Sequence, residues 1–244
     1  MSVVLVHFGG TPMRVSRPEG EPRGGVIVLH QAGGYAAQTE RWITELAAEG
    51  YLAVAPILHH RRGVETLHPS EFGGDIVAFS QALPGDSSAR EDIGAAIDYL
   101  SEQGVTPEHT GLVGFSFGGR AAYLVASERA LGAAISFYGG GVQRENFPGN
   151  DDLPALAART AELKTPFLGL FGEEDFMLSP GELDDWEAAL AEASVAASLV
   201  RYPGAGHAFD VDEAFVPGAP SPYVADAAND ATGRARSFLA DKLA

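Results

Sequence analysis

Gly114-Phe115-Ser116-Phe117-Gly118-Gly119 sets a serine between glycines two positions away on either side. An apolar, strand-like run (110–115) precedes it and a helical pattern (117–127) follows. A serine at such a junction occupies a strained turn in which glycines remove clashing side chains, and its Oγ projects above the sheet. A serine hydroxyl is a weak nucleophile at its own pKa and needs a base, itself oriented by an acid. Asp175 stands in Phe171-Gly172-Glu173-Glu174-Asp175, just past the apolar run 166–171. His207 stands in Pro203-Gly204-Ala205-Gly206-His207, just past the run ending at Tyr202. Three such residues at strand ends, in the chain order Ser, acid, His, predict acyl transfer with Ser116 as nucleophile, His207 as base and Asp175 as the orienting acid. Glu173 and Glu174 lie nearer the strand and read as solvated loop charges.

An oxyanion formed at Ser116 needs two donors. The N–H of Phe117, at the start of the helix, is the first. The second is expected from the turn His30-Gln31-Ala32-Gly33-Gly34, where the N–H of Ala32 is assigned ahead of that of Gln31.

These residues require a scaffold of alternating strands and helices. Segments 3–8 and 12–16 form a hairpin around Gly9-Gly10. Strands follow at 26–30, 51–56, 110–115, 133–138, 166–171 and 198–202, and helices at 39–49, 88–103, 117–127, 153–163, 181–193 and 223–243, the last interrupted near Gly233. That rhythm predicts one α/β domain over residues 1–244, a mostly parallel sheet with helices on both faces. Residues 57–85 fit no simple connection and read as a lid or binding loop, or as a stretch that holds a short helix at no assigned position.

Composition narrows the chemistry. The 244 residues carry no cysteine and a net charge of −17, with Lys164 and Lys242 the only lysines. Thiol catalysis, disulfides and Cys-ligated zinc are excluded. The negative charge disfavours nucleic acid and anionic membranes. The N-terminus has no basic leader and apolar core, so a cytoplasmic location is expected.

The segments VIVLHQAGGY, GYLAVAP, VGFSFGGRAAY, ISFYGGGV, PFLGLFGEEDF and PGAGHAF, with PYVADAANDATGRARSFL after the last, resemble the dienelactone hydrolase family of α/β hydrolases over nearly the whole chain. The resemblance implies an α/β-hydrolase fold and hydrolysis of small esters or lactones through an acyl-enzyme, without metal or organic cofactor. The sequence departs from that family in three places. Ser116 stands where the family usually has cysteine, Gln31 where it often has glutamate, and Val211 where dienelactone-cleaving members have a carboxylate-holding arginine. A neutral Gln31 is consistent with a serine, because a thiol–carboxylate gate has nothing to act on.

Substrate contacts are assigned to Gln31, Tyr35, Arg61 and Phe209, with Arg61 or Arg62 a source of positive charge and Phe72 and Tyr138 further pocket walls. His59, His60 and His68 form the densest histidine cluster, but adjacent histidines diverge and no metal site is assigned. Arg120, one turn beyond Ser116, is expected in a salt bridge. The partner is a small ester or lactone, and the protein a monomer or small homo-oligomer. Rival readings are an acyl transferase or lactone-forming cyclase on the same triad, and a binding protein that keeps the fold without catalysis.

Overall fold

A computed structural model describes residues 2–212 and 221–244. Among these residues eight strands form one sheet: β1 (Val3–Phe8), β2 (Thr11–Ser16), β3 (Gly25–Leu29), β4 (Leu52–Pro56), β5 (Thr110–Phe115), β6 (Ala133–Phe137), β7 (Phe167–Gly172) and β8 (Ala197–Tyr202). Their order is β1-β2-β4-β3-β5-β6-β7-β8, with β1, β2 and β4 antiparallel in succession and every later pairing parallel. Strands β3 to β7 are buried along their whole length, which explains why they read as continuous apolar runs rather than alternating ones.

Among the described residues there are six α-helices, α1 (Ala37–Ala48), α2 (Ile76–Gln81), α3 (Asp86–Glu102), α4 (Phe117–Glu128), α5 (Glu182–Ala191) and α6 (Ala225–Lys242), of which α1, α3, α4, α5 and α6 pack on the sheet. On one face Arg236 of α6 bridges to Glu45 of α1 and to Glu49 just beyond it. On the other, Arg90 of α3 pairs with Glu128 of α4. Trp42 of α1 packs on Phe115 and Phe137, and Trp186 of α5 on Phe167, Phe171 and Tyr123. Among the described residues no helix is long and apolar enough to cross a membrane.

Two local expectations need correction. A helix over 153–163 is replaced by irregular chain and a 3₁₀ segment, Ala157–Glu162. Tertiary hydrogen bonds capture its first turn: Arg120 donates to the Pro154 carbonyl, and the Leu156 N–H donates to Val142 O (2.7 Å). Helix α6 runs unbroken through Gly233, which faces open space. Within 57–85 the chain forms two 3₁₀ turns, His60–Arg62 and Pro69–Phe72, and then α2, whose first turn is capped by the Asp75 carboxylate accepting from Val77 and Ala78 N–H.

Candidate active site

Ser116 joins β5 to α4 with φ 50° and ψ −115°, outside the ordinary regions for a residue with a side chain. Its N–H donates to Phe137 O on β6 (2.9 Å) and its C=O accepts from Arg120 N–H (3.1 Å), so both neighbours hold the turn. The flanking glycines are required by contact. A Cβ on Gly114 would lie 2.1 Å from Gly118 O, and one on Gly118 would lie 2.2 Å from Leu29 O and 2.6 Å from His30 O. The first turn of α4 is therefore pressed against the end of β3, beside the loop that starts at His30.

Asp175 and His207 descend from the ends of β7 and β8. The Asp175 carboxylate is clamped from two sides: Oδ1 accepts from Met177 N–H (2.8 Å) and Oδ2 lies 2.8 Å from His207 Nδ1. His207 Nε2 lies 2.9 Å from Ser116 Oγ. A carboxylate oxygen can only accept, so Nδ1 carries a proton, and Nε2 is the ring nitrogen that faces the serine. Both Asp175 and His207 are buried. The imidazole lies between Tyr138 (centroids 5.0 Å apart) and Phe176 (5.7 Å), the latter 62% exposed. Phe176 was not singled out by sequence; its position next to Asp175 was the available signal.

The loop after β3 contains Gln31 and Ala32, both half-buried. Gln31 Nε2 donates to Gln38 Oε1 (2.6 Å). Gln38 Nε2 donates to Tyr138 OH (3.2 Å) and Asp210 Oδ2 (2.9 Å), and Tyr138 OH donates to Asp210 Oδ1 (2.6 Å). Burial raises the Asp210 carboxyl above its ordinary pKa, opposed by the bonds from Tyr138 and Gln38, and raises the Tyr138 phenol as well. This network links the loop after β3 to the segment carrying His207, and Gln38 and Asp210 were not identified from sequence. Their partners are far apart in the chain and no local pattern joins them.

Other candidates stand elsewhere. The Arg61 guanidinium is held by Asp92 (2.6 Å) and Glu91 (2.8 Å), in a depression lined by Phe8, Gly9, Thr11 and Arg129. Tyr35 is buried with Arg14 over its ring and its OH 3.4 Å from Glu40, while Phe209 is a core ring between Tyr138 and Tyr202. Val211 is buried. Arg120 is buried in an ion pair with Asp86. The His cluster diverges: His59 Nε2 meets Ala32 O and His60 Nε2 meets Asp92. No group of three or more metal-ligating side chains gathers among the described residues.

The sequence profile of the dienelactone hydrolase family matches residues 12–243. A Synechocystis protein named "Putative carboxymethylenebutenolidase" is 32% identical over 223 residues, 89% of this chain and 86% of that protein. A protein of the same name from Escherichia coli is 32% identical over 194 residues, 77% of this chain and 68% of its own length. Among solved structures, one described as a "Putative Dienelactone Hydrolase" from Klebsiella pneumoniae superposes with a TM-score of 0.82 at 25% identity, covering 98% of this chain and 99% of that one. The α/β-hydrolase architecture expected from sequence is thus the observed one.

Proposed function

Because the chain belongs to the dienelactone hydrolase family, whose members are hydrolases, we propose that it cleaves small esters or lactones through an acyl-enzyme on Ser116. The observation that carries this reading is the unbroken hydrogen-bond line from Asp175 through His207 to Ser116 Oγ.

Ser116 Oγ attacks the substrate carbonyl carbon while its proton passes to His207 Nε2, and the carbonyl electrons move to oxygen. The N–H groups of Phe117 and Ala32 hold that oxyanion; loss of one such donor typically costs ~10²–10³ in rate. Collapse breaks the bond to the leaving oxygen, which takes the proton from Nε2. Water then attacks the acyl carbon, gives a proton to Nε2, and the acid departs as Ser116 recovers it. Asp175 stays ionised throughout and fixes the imidazole tautomer.

Small esters or lactones without a carboxylate fit best. Val211 replaces the charge-bearing position of the family pattern, and Arg61 is engaged by two carboxylates. The exposed Phe176 ring suits an apolar acyl or leaving group. A fluorophosphonate probe should label the wild type and not Ser116→Ala, and hydrolysis of p-nitrophenyl acetate should fall at least about 10⁴-fold in that variant. Equal labelling of the two proteins would refute the nucleophile.

A further inference from the structure

Two buried histidines behind the oxyanion loop make no contact with the triad. His30, fully buried at the end of β3, sits with its Nδ1 2.7 Å from Gln31 O, and its Nε2 accepts from Leu58 N–H (3.1 Å). His59 places Nε2 2.9 Å from Ala32 O, while its Nδ1 is buried with no hydrogen-bond partner. The rings lie 5.0 Å apart. Their partners fix the tautomers. An amide N–H can only donate, so His30 Nε2 is an acceptor and its proton is on Nδ1, aimed at Gln31 O. By the same logic a carbonyl can only accept, so His59 carries its proton on Nε2.

A peptide unit is planar, so the Gln31 carbonyl and the Ala32 N–H move as one rigid group. Whatever grips Gln31 O sets the direction of the Ala32 N–H. That carbonyl accepts from both His30 Nδ1–H and Gly34 N–H (2.9 Å). Donation to a carbonyl also polarises its amide and strengthens the N–H on the other side. His59 grips the next carbonyl and so the next peptide plane.

We propose that His30 is a positioning residue for hydrolysis: its Nδ1–H, through the Gln31 carbonyl, aims and polarises the Ala32 N–H as an oxyanion donor, with His59 locking the following peptide. Burial, and then the neighbouring His59, lowers the His30 pKa to about 3, which keeps the ring neutral and the acceptor at Nε2 available. The inference rests on the acyl-transfer reading above and adds to it a specific origin for the second donor.

Two substitutions separate positioning from packing. An asparagine amide nitrogen overlays Nδ1, so His30→Asn keeps a donor for Gln31 O and drops the acceptor for Leu58. A glutamine oxygen overlays Nε2, so His30→Gln keeps the Leu58 bond and drops the donor to Gln31. With p-nitrophenyl acetate, His30→Gln should lose roughly 10- to 100-fold in kcat at nearly constant KM, a part of the full cost of a lost oxyanion donor. His30→Asn should recover most of that loss, although both variants melt at lower temperature than the wild type. Equal kcat in the two variants, high or low, overturns the proposal. Imidazole ¹⁵N resonances of the wild type provide a check that needs no variant: a protonated Nε2 on His30 overturns it too. Activity surviving in Ser116→Ala would instead fell the acyl-transfer reading itself, and this inference with it.

Discussion

Asp175 binds His207 with one carboxylate oxygen and a backbone N–H with the other, so its orientation does not depend on substrate. Asp175→Asn leaves the shape intact but offers an amide where only an acceptor works, and the imidazole turns to the wrong tautomer. We expect kcat to fall ~10³–10⁴-fold with little change in KM, read from steady-state kinetics. Tyr138 carries a different burden. Its hydroxyl donates to buried Asp210 and accepts from Gln38, and its ring packs on His207. Tyr138→Phe leaves the buried carboxylate one donor short, and about 1–3 kcal/mol of stability should be lost in urea unfolding.

At the scale of elements, close approach and open space call for opposite treatment of two glycines. Gly118→Ala puts a methyl against the backbone oxygens of Leu29 and His30, which cannot rotate away, so we expect ~2–4 kcal/mol of destabilisation and a loss of hydrolysis. Gly233→Ala, exposed in mid-α6 with nothing near, should gain about 0.5–1 kcal/mol. The same contrast explains what the sequence discloses. Ser116, Asp175 and His207 each follow an apolar strand within a few residues, with glycines marking the turn, so a local pattern announces them. The helix expected at 153–163 fails because Arg120 and Val142, remote in sequence, claim its backbone groups. The sequence allows a short helix within 57–85 but does not place α2, which is brief and begins with β-branched Ile76 and Val77, although its Asp75 cap is a legible signal. The roles of His30 and His59 depend on which carbonyls they reach, and spacing carries no trace of that.

Across the whole molecule, charge and burial combine in the response to acid. Folded His30 binds its proton only near pH 3, held down by burial, whereas the unfolded residue binds it near 6.5. Between those values the unfolded chain holds the extra proton, so this contribution to stability is complete above pH 6.5 and declines as pH falls toward 3. His59, lowered mainly by burial, acts in the same direction. The urea midpoint should therefore fall from pH 7 to pH 4.5 in the wild type and fall less in His30→Asn; parallel curves would place the acid sensitivity elsewhere. Trp42 and Trp186 are the only tryptophans of the chain. Trp42 packs against β5 and β6, whereas Trp186 packs against β7, the strand that leads to Asp175, and against Tyr123 of α4, the helix that follows Ser116. The molecule thus carries two native fluorophores, one on β5 and β6 and one between α4 and β7. Trp42→Phe leaves emission reporting the contact of α5 with β7 and α4, and Trp186→Phe the contact of α1 with β5 and β6. We propose that the sheet and its helices are one domain, in which case the two single-tryptophan proteins, each referred to its own stability by circular dichroism, unfold with fluorescence and ellipticity superimposed. A fluorescence transition that runs ahead of ellipticity in either protein would show that the sheet and its helices melt as separate units.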